Sequence, residues 1–311
     1  MTSSMSYSEN LKRFLKAHFP GLLNFIRKIR SLYYPLLIKK QRERLRTLIK
    51  CHYKTTSDNE TLDILSYLET NPVEIIPYEF TKECRACDIR VMRDDNSDYP
   101  YVILDGNRVY FPKEMDSEEI RNAVAEALIE QHDKSPHRYL TEQFNIDYGD
   151  TAIFVGASDG IFCLSVIDQL KKVYLFEPDI KWFAPLNLTF APWRGKVEVI
   201  QKYVSNTNDP QSVTLDSFLA ARNEHVNYIQ ADIEGAEKEL LLGARDTLAK
   251  SDKLKLSICC YHAQADQLEL SEILRAKGYG IMYSRGYMVM WMQLPCKKPY
   301  LRKGVIYASR L

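Results

Sequence analysis

The chain has 311 residues, 45% hydrophobic and 27% charged, values ordinary for a soluble globular protein and enough to bury a full α/β core with one further element. The net charge of +1 hides an asymmetry: residues 1–50 carry 12 Lys/Arg against Glu9 and Glu43, leaving 30 bases and 39 acids in the other 261 residues. An acidic body of that kind repels a polyanion, which excludes nucleic acid as the partner of the enzymatic part.

From Leu11 to Ile49 the pattern is helical. Leu22, Phe25, Ile26 and Ile29 fall at i, i+3, i+4 and i+7, with Arg27, Lys28 and Arg30 between them. Pro20-Gly21 and Pro35 predict a division into two or three short helices. A basic amphipathic segment rests on an anionic membrane surface or docks onto a partner; equally, it packs on the body with its bases in solvent. No secretory signal is visible, and the longest uncharged run, Ser31 to Ile38, is far too short for a membrane span. The expected location is cytoplasmic, with peripheral contact at the inner membrane face through residues 1–50.

Residues 51–135 read as an α+β region. A helix is expected over Asn59–Glu69, and Asp105-Gly106 between two β-rich runs signals a hairpin at 101–111. Asp116 or Ser117 then caps a helix whose buried face is marked by Ile120, Val124 and Leu128. Cys84-x-x-Cys87 has ligand spacing, but a zinc ribbon needs a second such pair and none is present. No metal is expected.

From residue 136 onward the expected domain is a parallel α/β sheet. Strands are predicted at 151–156, 172–177, 196–204, 227–232 and 253–260. One helix is predicted over Ala236–Lys250, with Leu240, Leu241, Ala244 and Leu248 inward, and another near Asp266–Lys277. Two further β runs, 279–284 and 287–293, predict an antiparallel pair at one edge. The count suits a seven-stranded, mostly parallel sheet, whose ligand lies outside the carboxyl ends of the strands.

Those strand ends deliver the candidate residues. Gly156, Ala157, Ser158, Asp159 and Gly160 form the first turn; its spacing departs from the G-x-G-x-x-G of dinucleotide binders. The second strand ends on Glu177, Pro178 and Asp179, where an acid can accept hydrogen bonds from a ribose diol. The fourth ends at Asp232 and Glu234, the fifth at His262. A carboxylate and a histidine there can deprotonate an acceptor hydroxyl, or can simply cap a helix and close a strand. In the polar stretch before the first strand, His137 and Arg138 are candidates for substrate contact.

S-P-H-R-Y at 135–139, V-G-A-S-D-G at 155–160, L-F-E-P-D at 175–179, T-L-D at 214–216, A-D-I-E-G-A-E at 231–237 and Y-H at 261–262 stand in a telling order. With them the chain resembles the FkbM-type family of S-adenosylmethionine-dependent methyltransferases over roughly Tyr101 to Tyr287. The resemblance implies a class I methyltransferase (Rossmann-like) α/β fold with an N-terminal helical extension, and S-adenosyl-L-methionine as cofactor. It implies methyl transfer to a hydroxyl, with a small-molecule or glycan acceptor, lipid-linked at the membrane face if the basic N-terminus serves there. By position, Gly156–Gly160 would cradle the methionine part, Glu177 the ribose and Asp179 the adenosine. Asp232, Glu234 and His262 would face methyl group and acceptor, with His262 as base. One departure stands out: the family commonly has Asp two residues before the first glycine, where this chain has Phe154. Asp159 or Asp232 must then compensate. Phe154 also motivates a rival reading, a catalytically degenerate binding or scaffold protein; a nicotinamide oxidoreductase rests only on the acid after the second strand.

Overall fold

The computed structural model describes residues 20–250, 253–293 and 295–310. Its first element corrects the expectation of broken helices: Pro20–His52 is one 33-residue helix running through Pro35. Pro20 is its first residue, where a missing N–H costs nothing, and the fixed φ of proline fits a helix at the loss of one hydrogen bond. The expected apolar face at 22–29 lies outside the residues whose side chains are described. Further along, Leu45 and Ile49 are buried with Ile64, Leu68, Val73, Tyr300 and Leu301, so the helix is anchored by its C-terminal half. A boundary at residue 50 therefore falls inside a packed helix.

The helix Asn59–Thr70 follows, capped by Asp58. Strands β1 (Met92–Arg93), β2 (Pro100–Leu104) and β3 (Asn107–Tyr110) form a small antiparallel sheet. Asp105 and Gly106 both have positive φ, 47° and 80°, as a type I′ hairpin turn demands. Asp116 caps the helix Ser117–Glu130 in a reciprocal box with Glu119. Ile120 and Val124 are buried as expected, but Leu128 is 39% exposed. The helix turns Ala123, Glu126, Ala127 and Glu130 toward a cavity instead, which leaves Leu128 outside.

The main sheet has seven strands. With β4 (Asp150–Val155), β5 (Leu170–Phe176), β6 (Val197–Ile200), a separate short pair β7 (Tyr203–Val204) and β8 (Ser212–Val213), then β9 (Tyr228–Ala231), β10 (Lys255–Cys259), β11 (Gly280–Tyr283) and β12 (Val305–Ser309), its order is β11-β12-β10-β9-β4-β5-β6. All neighbours are parallel except β12, which runs antiparallel to both β10 and β11. Residues 287–293 are thus not the antiparallel strand. Val289 is buried against the N-terminal helices, and Met288 makes only an isolated bridge to Arg302. The β-branched and aromatic run Val305–Tyr307 takes the place between β10 and β11, where both faces are covered. The helix expected over 236–250 is two, Glu237–Leu242 and Arg245–Lys250, with all four expected apolar residues buried. Gly243 divides them where a Cβ would meet the Ser205 carbonyl at 2.0 Å.

Alternate residues of each strand face opposite layers. Ala152 and Phe154 share one cluster with Val102, Phe111, Ile120 and Val124, so the 51–135 region covers one face of the sheet and closes no core of its own. Ile153 and Val155 pack on the other side with Leu240, Leu241, Leu248 and Leu274. The chain leaves β4 toward β5 and β6, then returns to β9 on β4's other flank. That reversal opens a crevice between the tips of β4 and β9, where α/β sheets place their ligands.

Candidate active site

Gly156 makes the crevice. Its φ is +78°, and a Cβ would lie 2.0 Å from the carbonyl oxygen of Asp232, so only glycine lets the two strand tips approach this closely. Two non-glycine residues beside it, Ser158 and Glu234, also have positive φ, 45° and 56°. Such strain costs about 1–3 kcal/mol each and concentrates at ligand sites.

Between these tips and the helix Ser117–Glu130 lies a cavity of about 360 Å³, within the range of small-ligand sites. Phe154, Gly156–Asp159 and Phe162 line it from the β4 side, Gln230, Asp232 and Glu234 from the β9 side, and Glu126 and Glu130 from the helix. Five of the lining residues are acids, and among the described residues of the wall there is no Lys or Arg. Burial pushes Glu130 up to about 7, with the nearby His137 working against it. Its side chain is 41% exposed and the residue lines the cavity. Asp159 is likewise pushed up to about 6 by burial, opposed by the hydrogen bond it accepts from the Ile161 N–H.

Asp232 is the hub behind the cavity. Its carboxylate accepts hydrogen bonds from the hydroxyls of Tyr139 (3.0 Å) and Tyr261 (3.2 Å). The Nε2 atoms of His137 and His262 lie 3.1 and 3.2 Å from its two oxygens. Burial alone would raise Asp232, but the two histidines outweigh it and hold the carboxylate far below its usual range. His262 also places Nδ1 3.1 Å from Glu237, which accepts the Ile233 N–H as well. Burial would lower His262; Asp232 and Glu237 outweigh it and push the imidazole up to about 10. Both nitrogens of His262 are turned to carboxylates, which favours the imidazolium form. That arrangement makes His262 a partner of Asp232 and Glu237 rather than a group turned into the cavity wall.

Other expected residues are redistributed. His137 is fully buried, its Nε2 on Asp232 and Tyr261 and its Nδ1 facing Glu130 at 3.8 Å, so it offers no surface to an acceptor. Arg138 is not part of the cavity wall; its carbonyl accepts from the Tyr307 hydroxyl. Glu177 is buried and braces the turn, accepting the N–H of Ser158 with one oxygen and that of Asp179 with the other, both at 2.9 Å. Asp179 caps the helix Ile180–Thr189 and pairs with Lys181. Neither these two nor Pro178 lines the cavity. Gly160 (φ +75°) closes the turn as the N-cap of the helix Ile161–Val166, where a Cβ would meet the Phe190 ring.

Glu130, Tyr139, Tyr261 and Glu237 were not anticipated as site residues. A signal for Glu130 was present: Ala123, Glu126, Ala127 and Glu130 fall at i, i+3, i+4 and i+7, a stripe of small and acidic residues on one helix face.

Two triplets, His137/Asp232/Cys259 and Asp232/Glu237/His262, gather ligand-type atoms within 4.8 Å. Neither is a metal cage in character. Asp232 is shared among two imidazoles and two phenols, the two acids of the second triplet sit on opposite nitrogens of one ring, and burial holds the Cys259 thiol protonated. The cavity itself fits an S-adenosylmethionine-type ligand in its charge. That cofactor carries a sulfonium and an ammonium against one carboxylate, a net positive charge, and the wall offers carboxylates.

The strand order and its crevice are those of a class I methyltransferase fold. Residues 194–281 match the family model of the methyltransferase FkbM domain; that segment holds the motifs at 214–216, 231–237 and 261–262, while those at 135–139, 155–160 and 175–179 lie before it. Among solved structures the chain is similar to methyltransferase FkbM from Methylobacillus flagellatus KT, with 19% identity, a TM-score of 0.44 and 62% of this chain covered. The match spans 53% of that protein, about half its length. It is also similar to a Methanococcus jannaschii fibrillarin pre-rRNA processing protein (15% identity, TM-score 0.39, 71% of this chain and 96% of that one). A third is a precorrin-6y C5,15-methyltransferase from Geobacter metallireducens GS-15 (9%, 0.38, 65% and 92%). These superpositions are loose, and nothing about substrate follows from them. Comparison with curated proteins gives no match.

Proposed function

We propose that the protein is an O-methyltransferase acting on a hydroxyl, with a sugar of a surface glycan or glycolipid as its acceptor. The observation that carries the reading is the acid-walled cavity at the β4/β9 reversal, with one carboxyl, Glu130, poised near neutrality. When bound, S-adenosyl-L-methionine supplies a methyl group already activated on a positively charged sulfur. The chain's own task is then to hold the reactants in line and to receive the acceptor's proton. Asp159 and Asp232 stand where they can meet the cofactor's ammonium in place of the acid missing at Phe154. Glu130 is the wall carboxylate suited to take the proton, since Asp232 is held ionised by its histidines and is a weak base. The same wall repels the pyrophosphate of a nicotinamide dinucleotide, which sets that rival aside.

The sugar acceptor rests on the family resemblance, and its location at a membrane on the basic N-terminal helix. Among the described residues no helix is long and apolar enough to cross a membrane, so contact would be peripheral.

Calorimetry with S-adenosylmethionine and with NAD tests the cofactor reading; binding of the first alone is expected. Incubation with radiolabelled S-adenosylmethionine and cell extract, fractionated into lipid, glycan and small molecules, then tests the acceptor, with label expected in a glycan or glycolipid fraction. Phe154 in the cavity wall favours one alternative, a catalytically degenerate binding or scaffold protein on this fold. A folded protein that shows no heat and no thermal shift with S-adenosylmethionine would favour it.

A further inference from the structure

We propose that Glu130 reads the charge of the methyl donor: it pairs as a carboxylate with the charged donor and becomes a carboxylic acid once that charge has been lost. The inference rests on the cofactor reading above and deepens it.

Glu130 is the last residue of the helix Ser117–Glu130 and closes the cavity wall opposite the β4 turn. Behind it stands His137, entirely buried, whose Nδ1 has no hydrogen-bond partner and faces the Glu130 carboxylate at 3.8 Å. The charged groups around Glu130 are His137 from the loop, Glu126 on its own helix, Asp159 from the β4 turn and Asp232 from the end of β9, with Glu234 also in the wall. Burial raises Glu130 most, and Asp232, Asp159 and Glu126 add to it against His137, so without a bound cation the side chain is in part protonated near neutral pH. A cation entering the same cavity favours the ionised form, and Glu130 must then release its proton to solvent.

The charges balance through the reaction. The acceptor oxygen forms its bond to the methyl carbon, the carbon–sulfur bond breaks with its electron pair going to sulfur, and the acceptor's proton moves to Glu130. Sulfonium and carboxylate disappear together, leaving a neutral thioether beside a neutral acid. The spent cofactor then lacks the partner charge that held the donor, which favours exchange of product for fresh donor.

Binding alone tests this, without an identified acceptor. Calorimetry of the full chain near pH 7, in two buffers of different ionisation heat, measures protons released on adding S-adenosylmethionine or S-adenosylhomocysteine. About half a proton is expected for the charged donor and clearly less for the neutral thioether. Donor affinity should weaken by up to about tenfold per pH unit below pH 7, with a flatter profile for the thioether. Glu130→Gln should abolish the release and bring the two affinities close together while still binding S-adenosylhomocysteine, which shows that the variant is folded. Glu118→Gln, exposed on the first turn of the same helix and away from the cavity wall, should keep the release at pH 7. Equal proton release for both compounds, or an unchanged preference in Glu130→Gln, would overturn the proposal and leave the cofactor reading standing. Failure of the folded wild type to bind either compound would overturn both.

Discussion

Asp232 shows how one side chain can hold a site together. It sits where β9 ends and draws in two tyrosine hydroxyls and two imidazoles from two separate stretches of chain, 137–139 and 261–262. Removing its charge takes from two buried histidines the carboxylate they share. Asp232→Asn should therefore cost about 3–5 kcal/mol in urea unfolding; a loss within experimental error would show the network to be incidental. The pH dependence has a definite sign. His262 rises from 6.5 to about 10 on folding, so its contribution is full below about pH 6.5 and is lost as pH climbs through 10. Glu130, raised from 4.5 to about 7, contributes in the same direction over its lower window. Stability should fall from neutral to alkaline pH, and His262→Gln should flatten that fall, as followed by the unfolding midpoint against pH. Phe154 belongs to the same scale. It is buried with ring contacts to Phe162 and Tyr228, so restoring the family's acid by Phe154→Asp should destabilise the fold by about 3–5 kcal/mol.

The tip of β4, its glycine turn and the tip of β5 act as one element through Glu177. Both of its oxygens hold backbone N–H groups of neighbouring loops. Glu177→Ala strips both and should lower the melting temperature while abolishing S-adenosylmethionine binding; Glu177→Gln retains one acceptor and should recover part of each. A variant that keeps full affinity would remove the brace from the account. The strands of this element were legible because apolar runs such as Ala152–Val155 and Val173–Phe176 are buried on both faces, and the hairpin because Asp105-Gly106 suits only one turn type. The antiparallel strand was misplaced for a physical reason. Residues 287–293 are as apolar as a strand, but that apolarity covers the Leu45–Val73 cluster, and pairing partners cannot be read from hydrophobicity. Glu130 escaped notice because the polar residues following it look like a connector, although the helix ahead of it aims its carboxylate inward. His262 was visible at its strand end, whereas its two carboxylate neighbours come together only in three dimensions.

At the scale of the molecule, an acidic α/β body carries a basic helix. Pro20–His52 contains nine Lys/Arg and one acid, and Leu36 and Leu37 are more than 60% exposed where the helix extends past its buried Leu45–Ile49 anchor. Like charge disfavours pairing of two such helices and favours an anionic surface. Removing residues 1–37 spares Leu45 and Ile49, so the truncated chain should fold normally and lose most of its cosedimentation with phosphatidylserine-containing vesicles; undiminished cosedimentation would end the membrane reading. Beneath this lies the claim that a cationic methyl donor occupies the crevice between β4 and β9. Hydrogen exchange with and without S-adenosylmethionine measures that most directly. Slower exchange concentrated at residues 156–161 and 232–235 is the predicted result, and donor binding that leaves those amides unchanged would contradict it.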